Sequence, residues 1–475
     1  MPFAEKQLAR HLLTLTLALA AVGCKAKPRP APAASASASS AAKPAPPEAP
    51  ALCRSVGNGP ALRVGEAERR PSRGDDGEDD ADEDDEAAMP FATRVDAAVA
   101  LDAAFAVGGL ATPGSKTEAF VAFVPLGGGP GKRVGLGPVH GDVDPPRVAG
   151  HGHVVIAAVA DMDAGGGMLR LARLDADADQ ASGDASITGV EHDAGAALAW
   201  GEHGALLVFG AKRAQGIGLK LVALDPEKLA GPFAPRELEG TLHAESPVLV
   251  ARPGGYWLAW VSEAPAGGDK TDAGARPPAR VDGGTRAGTP APGGSASPHA
   301  GDEDAPLVES GPRVLMTLPL DSAGKPLGVP RPVSVPRSRV VGFEATLGPD
   351  GGLLLTFRED EASPGVESGP PDLARVALDG AIGRAKLEDE DLSAGLPALL
   401  TDVKAGGRTW VALESASGGT RIGVLKPTGL ALESLAGDRL LRGADVLAAG
   451  DGKLLVSRYR GRAVELEVLN CKPVP

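Results

Sequence analysis

The chain has 475 residues, a formal net charge of −14 and 23% charged residues. That sign argues against a nucleic-acid groove and against polybasic docking on a membrane surface, and the length allows two or three domains or one large one. Tyr (2) and Phe (9) are scarce while Gly (65) and Pro (43) are abundant, so apolar patterning has to be read through small residues.

Residues 1–23 carry Lys6 and Arg10, an apolar run from Leu12 to Val22, and then Gly23 ahead of Cys24. The run is far short of the ~20 residues a spanning helix needs, so it reads as a secretory signal. Its ending, Ala21-Val22-Gly23-Cys24, resembles the lipobox of bacterial lipoproteins, with Ala21 in the place of the usual Leu. The resemblance implies that Cys24 becomes the lipidated N-terminus and anchors the protein to a membrane. Lys25 follows the Cys where inner-membrane lipoproteins carry Asp, which points to the outer membrane.

Residues 24–50 are an Ala/Pro/Ser tether, extended by about 3.1 Å per residue wherever it is polyproline-like. Residues 51–64 are strand-like and precede the acidic run of 65–90 (GDDGEDDADEDDE), whose self-repulsion predicts a disordered linker.

From residue 91 to the C-terminus one phrase recurs. Its fullest copy is Ser246–Glu263: an apolar run, the turn Gly254–Gly255, and a second apolar run from Tyr256 to Val261. A Gly stands just before such a second run at positions 152, 204, 255, 352, 407 and 452, with spacings of 52, 51, 97, 55 and 45. The 97 contains 264–311, a Gly/Ala/Pro-rich stretch without apolar periodicity that reads as a disordered insertion. A weaker copy, Ala103–Val107, comes before the first Gly. Each copy is followed by a third apolar run, such as Leu219–Leu224 or Val464–Leu469, and most by a weaker fourth. These short aromatic and β-branched runs favour strands. Seven units of about four strands predict an all-β fold, a β-propeller with seven four-stranded blades over 91–475. A β-sandwich array is the alternative. Leu430–Ala449 also has a local helical pattern, which the phase of the repeat overrides.

The last unit is short of a fourth strand, so Pro60–Val64 is expected to supply it and close the ring. Cys53 and Cys471 lie at the two ends of that ring, and in an oxidising compartment they predict a disulfide.

Chemical motifs are few. GGGPGK (127–132) fails the phosphate-loop spacing and reads as a hairpin turn. His151 and His153 flank a glycine, with Asp142 and Asp144 upstream, and read as turn residues rather than metal ligands. Asp175, Asp177 and Asp179 lack the Gly and Glu of a calcium loop, and Ser322–Lys325 lacks its partner motifs. No metal, cofactor or catalytic set is assigned. In a propeller, the long loops of units four and five share a face with the connection that carries Arg331, Arg337 and Arg339, which makes this sector a candidate binding surface. The expected function is a lipid-anchored, non-enzymatic envelope module for a protein or glycan. The alternative is a propeller hydrolase or lyase acting on glycans, with residues dispersed around the channel.

Overall fold

The computed structural model describes residues 52–65, 93–113, 116–163, 166–263, 312–336, 338–360, 370–387, 395–402, 407–415 and 419–472. The signal segment 1–23, the tether 24–50, nearly all of the acidic run 65–90 and the insertion 264–311 lie outside these residues.

The fold is all-β, a β-propeller built from antiparallel meanders. Meander one spans 93–139, two 147–190, three 196–242, four 244–332, five 339–386 and six 398–437, each with four strands. Meander seven has three strands over 445–471 and takes Cys53–Ser55 and Leu62–Val64 as its outer edge. Meanders four and five form one eight-stranded sheet, joined by a single parallel bridge between Arg313 and Arg339. The helical pattern at 430–449 resolves into the strand Leu432–Gly437, a 3-10 turn and the strand Asp445–Gly450.

The apolar phrase found in the sequence is the second strand of each meander. Ala104–Ala111 is buried at every position, and so is Tyr256–Val261. A strand buried on both faces must lie between neighbouring sheets, and the cores lie there. Trp257, Leu355 and Phe357 pack between meanders four and five. Val107, Phe120, Leu455 and Leu466 pack between one and seven. Equivalent clusters fill every other adjacent pair. The first strands of the meanders neighbour one another in a closed cycle around the axis.

In meanders two to seven the turn before the second strand uses the left-handed region; Gly254 has φ +71° and Gly152 +63°. These turns are stitched to neighbouring meanders. Tyr256 Oη donates to Gly204 O at 2.9 Å, and Trp257 Nε1 donates to Gly351 O at 3.0 Å. The N–H groups of Asp451 and Gly452 donate to the two oxygens of Asp402 at 3.1 and 2.6 Å.

Closure is made by residues 52–65. Cys53 pairs in register with Cys471 and is disulfide-bonded to it across 418 residues of chain. Leu62–Val64 pairs with Val464–Leu466. The Asp438 carboxylate accepts from the N–H groups of Leu52 and Cys53 at 2.8 and 3.0 Å. The same segment reaches meander one, where Gly131 N donates to Ala61 O at 2.8 Å. GGGPGK is therefore a hairpin turn docked on the closing segment.

Candidate functional site: the central channel

The first strands surround the axis, and three of them bring charged side chains towards it. Asp96 stands on Thr93–Ala100, Arg147 opens Arg147–His151, and Glu344 lies on Arg339–Leu347. Arg147 Nη1 donates to Asp96 Oδ2 at 2.6 Å, and Nη2 lies 3.6 Å from Asp144 Oδ2. Glu344 comes from meander five, which is adjacent to neither meander one nor meander two. Even so, Asp96 and Arg147 act on it electrostatically. They can meet only across the channel.

Glu344 is exposed to solvent, and the protein mass around it pushes its carboxyl up to about 7. Burial is the largest cause, the Asp96 charge adds to it, and Arg147 opposes both.

A second group lies at the junction of meanders six, seven and one. Burial raises Asp445, and neighbouring Glu414 raises it further. Both line a cavity of about 280 Å³ with Leu396, Ala398, Ala412 and Val446. Tyr459 is raised by burial; the Val95 backbone hydrogen-bonds it, and the charges of Asp445 and Asp96 lie close by.

The loop before Arg147 is anchored at its start. The backbone N–H and Nδ1 of His140 sit 3.0 and 2.9 Å from Asp161 Oδ1, and Arg170 Nε is 3.2 Å from Oδ2 of the same carboxylate. Asp142 on this loop pairs with Arg94 at 3.4 Å, and Arg94 also donates to Val143 O at 2.8 Å. The loop thereby holds both arginines of the mouth.

The sequence-based candidates are placed otherwise. Arg331 lies on the two-residue outer strand of meander four, opposite Thr317, and donates to Asp379 O at 3.3 Å. Arg339 opens the first strand of meander five, bridged to Arg313. Thr317 and Arg313 are four residues apart on one strand, so the two arginines stand about 13 Å apart by strand rise. Arg337 and Cys24 lie outside the described residues. His153 pairs with Asp175 at 3.3 Å, and His151 lies against Trp200, away from Asp142 and Asp144. Among the described residues no group of three His, Cys, Asp or Glu is placed to hold a metal ion.

No family model and no curated protein matches this chain. Solved structures resemble it at the level of fold. The polysaccharide lyase Uly1 has a TM-score of 0.49 at 10% identity, covering 81% of this chain and 91% of its own. The Bombyx mori GH32 β-fructofuranosidase BmSUC1 has a TM-score of 0.32 at 10% identity, covering 80% and 79%. The lectin SapL1, solved with α-methyl fucoside, has a TM-score of 0.37 at 10% identity, covering 73% and 96%. Propellers so distant have mixed functions, and these likenesses carry no argument for one.

Proposed function

We propose that this protein is an exported lipoprotein, anchored through Cys24 at the outer membrane, whose seven blades present a glycan-binding site at the channel mouth. The observation that carries the reading is the convergence of Asp96, Arg147 and Glu344 from three separate meanders on one channel. Polar groups gathered in a concavity from distant parts of the chain are what fixes a polyhydroxylated ligand. A channel lined only by Ala, Gly and Val would have favoured recognition by the outer loops instead. The anchor is supported by the lipobox resemblance at residues 21–24. It is tested by labelling cells with a radioactive fatty acid: label is expected in the protein and absent from Cys24→Ser. The site is tested by exposing the full-length, detergent-solubilised protein to a glycan array. Retention of a coherent glycan class supports the reading, and an empty array rejects it.

One observation favours a second reading, a glycan hydrolase. Glu344 holds a proton near neutrality and stands close to Asp96, which is paired with Arg147. Two carboxyl groups in contrasting environments are the working pair of glycoside hydrolysis, one as acid and one as base or nucleophile. Release of reducing ends, lost in both Glu344→Gln and Asp96→Asn, would establish it. The lyase form has less support. Removing a proton beside a uronate needs a free positive charge, and Arg94 and Arg147 are already held by aspartates.

A further inference from the structure

We infer that the outer rim where meanders four and five adjoin docks on an anionic lipid surface, so that the tethered body lies on its membrane in one orientation. The inference rests on the membrane-anchored reading above, which puts a lipid surface within reach, and it concerns a part of the molecule away from the channel. Four of the seven large apolar side chains exposed among the described residues stand on two short stretches of this rim. Leu327 (57% exposed) and Val329 (72%) precede the outer strand of meander four, Arg331–Pro332. Leu378 (55%) and Ile382 (37%) lie at the outermost strand of meander five, Ile382–Lys386. Single exposed apolar residues are ordinary, whereas a group of them marks an interaction surface. Arg331 ties the two stretches together. Its Nη1 donates to Asp379 O at 3.3 Å, and its guanidinium lies against Gly380, where a side chain would have no room.

Charge indicates what covers the rim. Lys325, Arg331 and Arg384 are exposed on the same two stretches, and among the described residues none of them forms an ion pair with a carboxylate. The one acid between them, Asp379, turns an oxygen back to the N–H of Ala381 at 2.9 Å. Ile382 and Arg384 occupy alternate, exposed positions of their strand and so share one face. A second copy seated symmetrically on the patch would bring these cations against one another. An anionic bilayer accommodates both kinds of group: the aliphatic side chains enter at the headgroup boundary, and the long basic ones reach phosphate. The chain as a whole carries −14, which opposes adhesion in any other orientation.

The test is the emission of an environment-sensitive fluorophore on the full-length protein, reconstituted into vesicles of phosphatidylethanolamine and phosphatidylglycerol and collected by flotation. The dye is placed on Val329→Cys or Leu378→Cys, and on Thr188→Cys, at the outer strand of meander two, as a control. The unsubstituted chain, taken through the same labelling, is the blank. Emission from positions 329 and 378 is expected to shift to the blue and to be quenched by brominated acyl chains, with position 188 unchanged. Lys325→Gln should lower the ratio of docked to undocked protein roughly fivefold, the worth of one basic residue at an anionic surface. Flotation with water-like emission from 329 and 378 would overturn the docking inference and leave the anchor standing. An equal shift on phosphatidylcholine vesicles would overturn the assignment to anionic lipid. A shift that grows with protein concentration rather than with lipid would give the patch to a second copy and overturn the inference. Protein that fails to float would overturn the anchor and the docking together.

Discussion

Glu344 is raised from an ordinary 4.5 to about 7, chiefly by burial. The folded protein therefore holds this proton over a pH range in which the unfolded chain has released it, and stability falls as pH rises from about 4.5 through 7. Thermal melts across that range should show a downward slope that is shallower in Glu344→Gln. Parallel curves for the two proteins would mean that Glu344 is solvated like a surface acid. Asp402 is fully buried and accepts from the N–H groups of Asp451 and Gly452 in the next meander. Asp402→Ala leaves those donors without their acceptor and should cost about 2–3 kcal/mol in denaturant unfolding, with Asp402→Asn intermediate. An unchanged midpoint would remove the turn-to-turn stitch from the account. Neither residue stands out in the sequence. Asp402 sits in LLTD and Glu344 in FEAT, ordinary polar positions at the margins of apolar runs. Their meaning depends on partners about 50 and 200–250 residues away.

At the scale of the strand and hairpin, much was legible. The second strands carry the signal because sheets cover both their faces, which forces continuous apolar runs such as Tyr256–Val261. The first strands carry little of it, because one side of each faces the channel and two of them are only five residues long (Arg147–His151 and Ala398–Asp402). The channel residues lie on these first strands, where the continuous apolar run is absent. One signal could have exposed them: aligning the repeats brings the charged positions of RVDAA, RVAGH and FEATL onto the same strand of the unit. Of the arginine sector, Arg331 and Arg339 are described and Arg337 is not. The path from Arg331 to Arg339 crosses from an outermost strand to an innermost one, and it ends about 13 Å away along the strand Arg313–Asp321. Pairing also bears on the insertion. The ladder between Gly255–Glu263 and Arg313–Asp321 runs without a break to its last pair, Glu263 with Arg313, so the strand ends adjoin. Replacing 264–311 with a four-residue turn is expected to leave the melting midpoint unchanged or slightly raised, since a shorter loop costs less entropy to close. A variant that fails to fold would show that the insertion contributes to the core.

For the whole molecule, closure is the distinctive event. Six meanders take their strands from consecutive chain, and the seventh is finished by residues that precede the first. The sequence revealed this through a missing fourth strand and two cysteines. It left unseen the capping by Asp438 and the docking of Ala61 on Gly131, which depend on the finished ring. Cys53→Ser should lower stability by about 2–4 kcal/mol under oxidising conditions, through a more expanded unfolded chain. Under full reduction, wild type and variant should melt together; a difference that persists would point to packing around Cys53 rather than the bond.

A closed ring also brings meanders one, two and five to one channel, and the central claim is that this channel is the functional site. Its most direct test is surface plasmon resonance of the glycans retained on the array, comparing wild type with the triple variant Asp96→Asn, Arg147→Gln, Glu344→Gln. The account predicts that wild type binds and that the folded triple variant does not. Undiminished binding by the triple variant would move the site off the channel and contradict the account.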